Sequence, residues 1–292
     1  MEQIKILRPK HMLVKNVKYI DKAGYFPNEK SVDNYSQSIN EKHAPYHNDR
    51  LRALKFLHKR TKKKITILDF GCGDGLQFLK LKFPCKFYYG IDVSPFMINK
   101  CKINVTKIKK KLLIGGVEKL KDIKSNSVDL IISINTLGYL DDADLKSFFK
   151  SAKRIVKKNG YFSTLNGNEL FDLFALNYGT KKFFTKHFNQ KENLLNLLLK
   201  KNKNEWAHAK TFNPLNFKFK LKKYNFIEIK RSYAGYHKLN PEIAKIIYGN
   251  KNPFKTRLKM RNFLINPNKL DNSEIWKCLF CCSMFGSIFK KK

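Results

Sequence analysis

Arginine is scarce in this sequence: of 60 basic residues in 292, 8 are arginine and 52 are lysine. The guanidinium group is the planar, bidentate reader of phosphate, so a chain this poor in it gives little sign of a dedicated nucleic-acid surface, even at a net charge of +37. Abundant Asn, Ile and Phe beside the Lys fit the bias of an AT-rich coding sequence, which would supply the charge without a function; specific binding of a polyanion is the alternative reading of the same charge. Cysteine is also sparse. Six of them, at 72, 85, 101, 278, 281 and 282, do not make a disulfide framework, and they suit a reducing compartment. Cys278-x-x-Cys281-Cys282 is a single CxxC with no second pair and no histidine cluster, so no metal is expected. Long apolar runs are missing too. The longest, 278–289, is too short to span a bilayer, and 1–22 is broken by charges with no apolar core of a secretory signal. A cytoplasmic protein without membrane insertion is expected, and no repeat of solenoid period is visible.

What is present is a hydrophobic fraction of 42%, ample for one large α/β domain with or without an accessory lid. The chain is organised around Ile65-Thr-Ile-Leu-Asp-Phe-Gly-Cys-Gly-Asp-Gly75. Ile65, Ile67 and Leu68 read as a buried strand, Asp69 closes it, and Gly71, Gly73 and Gly75 fall at alternate positions where a Cβ would block a tight turn or a closely bound ligand. A dinucleotide fingerprint needs its third glycine one residue later, where Leu76 stands, so a pyrophosphate-binding loop is not matched.

Around this turn, strand and helix patterns alternate. Strands are expected at 65–69, 86–92, 112–115, 128–135 and 161–165, and helices at 76–81, 95–106 and 141–156, with Ser94 capping the second helix and Asn159-Gly160 turning the chain after the third. This alternation predicts a parallel sheet with right-handed crossovers. Before it lie an irregular arm at 1–30 and helical spacing within 31–63, including Leu51 and Leu54; after it come helical patterns at 168–210 and 215–224, a strand at 225–233, a basic Pro- and Asn-punctuated stretch at 240–272 and a closing strand within 278–289.

In such a sheet the ligand sits outside the carboxyl ends of the strands. Asp92 ends the second strand 17 residues beyond Gly75, where a carboxylate can accept both hydroxyls of a ribose. Leu68-Asp-Phe-Gly-Cys-Gly-Asp-Gly75, Gly90-Ile-Asp-Val-Ser94, Ser127-Val-Asp-Leu-Ile-Ile132 and Val156-Lys-Lys-Asn-Gly-Tyr-Phe162, in this order, resemble the motif set of class I S-adenosylmethionine-dependent methyltransferases over about residues 60–166. The resemblance implies a Rossmann-like α/β fold: a seven-stranded, mostly parallel sheet whose last strand is antiparallel, with helices on both faces and an N-terminal helical lid. Residues 284–291 would slot in as that last strand. The organisation expected is an arm and lid at 1–60, a cofactor-binding core at 61–166, and substrate-side insertions and closing strands of the same domain at 167–292.

Carried over to this chain, the resemblance implies that Asp69 and the loop of Gly71, Cys72, Gly73 and Gly75 hold the methionine end of S-adenosyl-L-methionine, and Asp92 with Val93 its ribose. Val117 and Glu118 stand where the adenine is met, although many relatives place an acidic residue where this chain has Gly116. Asn135 and Tyr139 follow the fourth strand, where many relatives carry a histidine; Tyr139 would face the methyl group or acceptor, and Tyr35 and Tyr46 would belong to the lid. A hydroxyl acceptor needs a general base. His47, on that lid, is the preferred candidate, ahead of Tyr139, Asp141, His187, His208 and His237.

The expected activity is methyl transfer to a small molecule, most simply to a hydroxyl of a sugar or of a nucleotide-linked or phosphorylated glycan precursor, as in bacterial polysaccharide biosynthesis. RNA methylation is the alternative, supported by charge and opposed by Asn135-Thr-Leu-Gly in place of a Pro-Pro-Tyr type motif. A non-catalytic binding protein of the same fold is the third reading.

Overall fold

The computed structural model describes residues 28–40, 51, 54, 63–174, 211–236, 263–265, 278–279 and 282–292. The elements in chain order are α1 (Glu29–Asn40), β1 (Ile65–Phe70), α2 (Leu76–Leu81), β2 (Cys85–Asp92), α3 (Pro95–Asn104), β3 (Lys110–Ile114), β4 (Val128–Ile134), α4 (Asp142–Ile155), β5 (Val156–Gly167), α5 (Glu169–Phe174), α6 (Pro214–Lys222), β6 (Phe226–Tyr236), β7 (Phe263–Ile265) and β8 (Cys282–Lys291). Short 3-10 turns at Val117–Asp122 and Leu137–Tyr139 follow β3 and β4.

The strands form one sheet in the order β3-β2-β1-β4-β5-β8-β6-β7. β1 pairs in parallel with β2 and β4, β2 with β3, and β4 with β5, whereas β8 runs antiparallel between β5 and β6. The expected seven-stranded arrangement is therefore present, with residues 284–291 inside β8. The three-residue β7 extends the free edge of β6 and falls within the stretch 240–272, where no strand signal was legible. The turn expected at Asn159-Gly160 lies inside β5, where Asn159 has φ of +62° and the pairing jumps from Val128↔Val156 to Leu130↔Tyr161, five residues on β5 against two on β4.

Local chemistry accounts for the helix starts. Ser94 Oγ accepts from Met97 N at 3.3 Å with Pro95 at the first helical position of α3, and Asp141 Oδ1 accepts from Asp144 N at 2.6 Å to open α4. Along α4, Leu145, Phe148, Phe149, Ala152 and Ile155 recur at helical spacing and are all buried. They meet one face of the sheet, where Phe162 touches Phe148, Phe149, Phe226 and Phe289 at centroid distances from 5.7 to 6.5 Å. The other face packs Ile67, Leu130 and Ile132 against Phe78, Leu81, Ile98 and Cys101 of α2 and α3, with Leu51 and Leu54. Replacing Phe162 by Ala is expected to cost about 3–5 kcal/mol of stability, read from denaturant midpoints; a change under 1 kcal/mol would mean the aromatic cluster collapses around the gap.

Both arginines among the described residues are committed inside the fold. Arg154 donates to Ile123 O and Leu120 O at 2.8 Å each, and Arg231 makes a two-pronged pair with Glu228 at 2.9 Å, whose carboxylate also accepts from Ser287 Oγ at 2.6 Å.

Candidate functional site

The turn after β1 is built from three left-handed glycines, with φ of +75° at Gly71, +52° at Gly73 and +78° at Gly75. They have different surroundings. A Cβ on Gly71 would fall 2.1 Å from Thr136 Oγ1, and one on Gly75 would fall 2.7 Å from Val105 and 2.9 Å from Cys101 Sγ, so both positions are closed by the protein itself. Among the described residues, a Cβ on Gly73 would meet Met97 Sδ at 3.9 Å and Tyr35 Cε1 at 4.0 Å and nothing nearer. Space opens at Gly73, beside Tyr35.

The N–H groups of this loop are already engaged. Gly71 N and Cys72 N donate to Ile91 O at 2.8 and 3.0 Å, Gly75 N to Cys72 O at 3.0 Å, and Gly73 N to Asp92 Oδ2 at 2.9 Å. A phosphate cradle needs such donors free and aimed at the ligand. This loop presents carboxylates.

Asp69, Asp74 and Asp92 gather around the turn. Asp69 is buried at the end of β1, where it accepts from Tyr88 Oη at 3.1 Å. Burial pushes its carboxyl up to about 7, the Tyr88 hydrogen bond opposes that rise, and the charges of Asp92 and Asp74 add to it. Asp92 is half-buried; its Oδ1 accepts from Ser94 N at 3.0 Å. Its carboxyl is also raised by burial, against the backbone donors of Ser94, Gly73 and Val93. Asp74 accepts from Ser36 Oγ at 2.5 Å and Leu76 N at 3.1 Å and is raised by burial as well. A chain of net charge +37 thus places three carboxylates at one turn, an arrangement that favours a cationic ligand.

Helix α1 lies over this turn. Besides Ser36 on Asp74, Gln77 Nε2 donates to Tyr35 Oη at 2.6 Å, Lys80 Nζ to Ile39 O at 2.7 Å, and Lys100 pairs with Asp33 at 2.8 Å. Tyr35, a candidate from the sequence, lies at the turn, and Ser36, Asp74, Gln77 and Thr136, which the sequence did not single out, join it. Their partners lie 38 to 65 residues away in the chain, and no local pattern marks them.

The remaining candidates are distributed as follows. Cys72 is buried, its thiol pushed well above its ordinary value by burial and by neighbouring Cys101, so it is a packing group rather than a reactive one. Val117 is buried at the start of its 3-10 turn, and Glu118 folds back to accept from Gly116 N at 2.8 Å. Asn135 has φ of +55° and donates its N–H to Leu165 O at 2.7 Å; Tyr139 is half-buried in the turn that follows. Across from Asn135 on β5, Asn166 is buried and accepts from Thr164 Oγ1 at 3.1 Å, while its Nδ2 has no partner among the described residues. Tyr46, His47, His187, His208, His237 and Cys281 lie outside the described residues, as does most of the helical pattern expected at 168–210. Among the described residues no three His, Cys, Asp or Glu side chains, the three carboxylates of the turn included, are placed so that they could hold a metal ion, and no helix is long and apolar enough to cross a membrane.

Residues 68–164 match the family described as a methyltransferase domain. The ubiquinone biosynthesis O-methyltransferase of Pelagibacter ubique is 32% identical over 118 residues, which are 39% of this chain and 48% of that protein. The 18S rRNA (guanine-N(7))-methyltransferase of Bos taurus is 29% identical over 118 residues, 37% of this chain and 41% of that protein. The chain thus spans about half the length, or less, of the curated relatives it matches. Among solved structures, an S-adenosylmethionine-dependent methyltransferase of Thermotoga maritima superposes with a TM-score of 0.55 at 17% identity, covering 90% of this chain and 98% of that one. Phosphoethanolamine N-methyltransferase 2 of Haemonchus contortus, in complex with S-adenosyl-L-methionine, gives 0.52 at 15% identity, covering 93% of this chain and 59% of that one. At these identities the likeness is one of fold.

Proposed function

We propose that this chain, whose residues 68–164 match a methyltransferase domain, is a class I S-adenosylmethionine-dependent methyltransferase that methylates a small-molecule hydroxyl. The observation that carries the cofactor assignment is the gathering of Asp69, Asp74 and Asp92 at the turn. The donor set fits a ligand bearing a sulfonium and an ammonium group, and the engaged N–H groups of the loop disfavour a pyrophosphate. In this reading Asp69 balances the ammonium charge, Gly73 and Tyr35 border the methionine portion, Asp92 takes the ribose with its spare lone pairs, and Val117 lies along the adenine. Residues 61–166 form the cofactor core, with 167–292 shaping the acceptor side of the same domain and 1–60 the lid.

S-adenosyl-L-methionine supplies an activated methyl group together with its leaving group, so the protein's task is to align the acceptor and keep water out. Lid helix α1 serves the second task. Asn135, Tyr139 and the amide of Asn166, unpartnered among the described residues, lie on the acceptor side, with His47 as the candidate base for the hydroxyl proton. A glycan precursor remains the specific acceptor proposed. O-methylation is favoured by the relative from Pelagibacter ubique. RNA methylation, favoured by the rRNA-modifying relative and the net charge, is the second reading; the commitment of Arg154 and Arg231 inside the fold weighs against it.

A labelled-methyl transfer screen over nucleotide sugars, glycan precursors, quinol-type phenols and bulk RNA tests the acceptor class. Label in RNA alone would replace the small-molecule reading. Asp92→Ala is expected to weaken cofactor binding by calorimetry at least tenfold, the value of one lost charge-assisted contact; unchanged affinity would remove Asp92 from the ribose site.

A further inference from the structure

Helix α6 has two apolar stripes. Pro214, Phe217 and Leu221 face inward, and Phe217 stacks edgewise on Phe212, Phe285 and Phe289 at 5.1, 5.5 and 6.0 Å. Leu215 and Phe219, one turn apart, stand on the outer side with 46% and 55% of their surface exposed. Core packing explains the first stripe and leaves the second unexplained. Among the described residues the other large apolar groups this exposed are Ile103 and Ile114, which sit singly on α3 and β3.

The outer stripe is ringed by cations. Lys218, Lys220, Lys222 and Lys223 are all exposed, and the sequence from Trp206 to Ile227 contains no Asp or Glu. Lys218 Nζ lies 5.1 Å from the centre of the Phe219 ring and Lys220 Nζ 5.6 Å from that of Phe212, so cationic and aromatic groups adjoin along the helix.

We propose that α6 docks the protein on an anionic lipid surface, with Leu215 and Phe219 entering the boundary between headgroups and acyl chains and the four lysines meeting lipid phosphates. A helix of 9 residues lies in the plane of such a surface and does not span it. Two features favour lipid over nucleic acid. Lysine is a point charge that suits a fluid layer of phosphates better than a fixed duplex or folded strand, and Leu215 has no ring with which to stack on a base.

The full-length chain is spun down with vesicles of equimolar phosphatidylglycerol and phosphatidylcholine, and separately with phosphatidylcholine alone. Binding is expected with the first and not the second, and it should fall as salt rises. Phe219→Ser should lower partitioning about tenfold, corresponding to part of the transfer free energy of a Phe side chain. Lys218→Gln and Lys222→Gln should each lower it about fivefold, and Phe219→Leu should preserve it. Thermal unfolding unchanged in each variant establishes that folding is not what is being read. Equal partitioning of Phe219→Ser and wild type, equal binding to neutral vesicles, or binding to a mixed-sequence RNA without binding to vesicles would each overturn the proposal.

Discussion

Replacing Asp69 by Asn is expected to raise the stability of the ligand-free protein at pH 8 and to abolish most of its affinity for S-adenosyl-L-methionine. The folded carboxyl is pushed up to about 7, chiefly by burial, whereas in the unfolded chain it ionises near 3.8. Between those two values the folded protein holds a proton that the unfolded chain has released. Stability is therefore undiminished below about pH 4, declines as pH rises toward 7 and stays lowered above it, by on the order of 4 kcal/mol. Asn keeps the shape and the acceptor for Tyr88 Oη and removes the titration. A bound cation reverses the preference, because the ionised carboxylate then has a partner. Cofactor affinity should rise with pH through about 7 in the wild type and stay flat in Asp69→Asn. Calorimetry and thermal unfolding at about pH 5 and pH 8, with and without S-adenosylhomocysteine, read both effects. Parallel pH profiles for the two proteins would mean that Asp69 does not serve the cofactor.

The three glycines of the turn should separate binding from folding. Gly73→Ala puts a methyl where the nearest protein atoms are 3.9 and 4.0 Å away, so the fold bears only the left-handed backbone cost of about 1–2 kcal/mol. Its expected effect is a loss of cofactor affinity of a hundredfold or more, roughly 3 kcal/mol for overpacking a close-fitting site. Gly71→Ala and Gly75→Ala meet protein atoms at 2.1 and 2.7 Å and should instead destabilise the chain by about 3–5 kcal/mol, strain and overlap together. At Gly71 the overlap is with the Thr136 side chain, so Thr136→Gly should recover part of that loss, and a double-mutant cycle would measure the coupling. If all three glycine variants lose stability alike and cofactor affinity alike, Gly73 does not border the cofactor.

The sequence was most informative where chemistry is local. The strand 65–69, the alternate glycines, the Ser94 cap and the acidic start of α4 each rest on neighbours within about four residues, and all four stand as expected. β8 was harder: its apolar run marked a core element, and only the motif resemblance gave it an antiparallel place. β7 spans three residues, too few to carry a period. Within the site, Asp92 and Tyr35 lie at the turn. The roles of Ser36, Gln77 and Thr136 arise from contacts across 38 to 65 residues of sequence, and periodicity does not encode such contacts. Glu118 illustrates the converse. Its position suggested a ligand contact, yet a carboxylate two residues beyond an N–H can turn back upon it, as Glu118 does on Gly116.

The insertion of β8 between β5 and β6 has a kinetic consequence. Strands β1 to β5 can pair with one another as soon as residue 167 has left the ribosome, because each finds its neighbours within that span. β6 and β7 join the sheet only through β8, which is made last of the described strands. The half of the sheet proposed to hold the cofactor can therefore assemble during synthesis, while the half proposed to face the acceptor waits with exposed apolar edges until β8 arrives. In a nascent chain the ability to hold the cofactor should precede the ability to hold its acceptor.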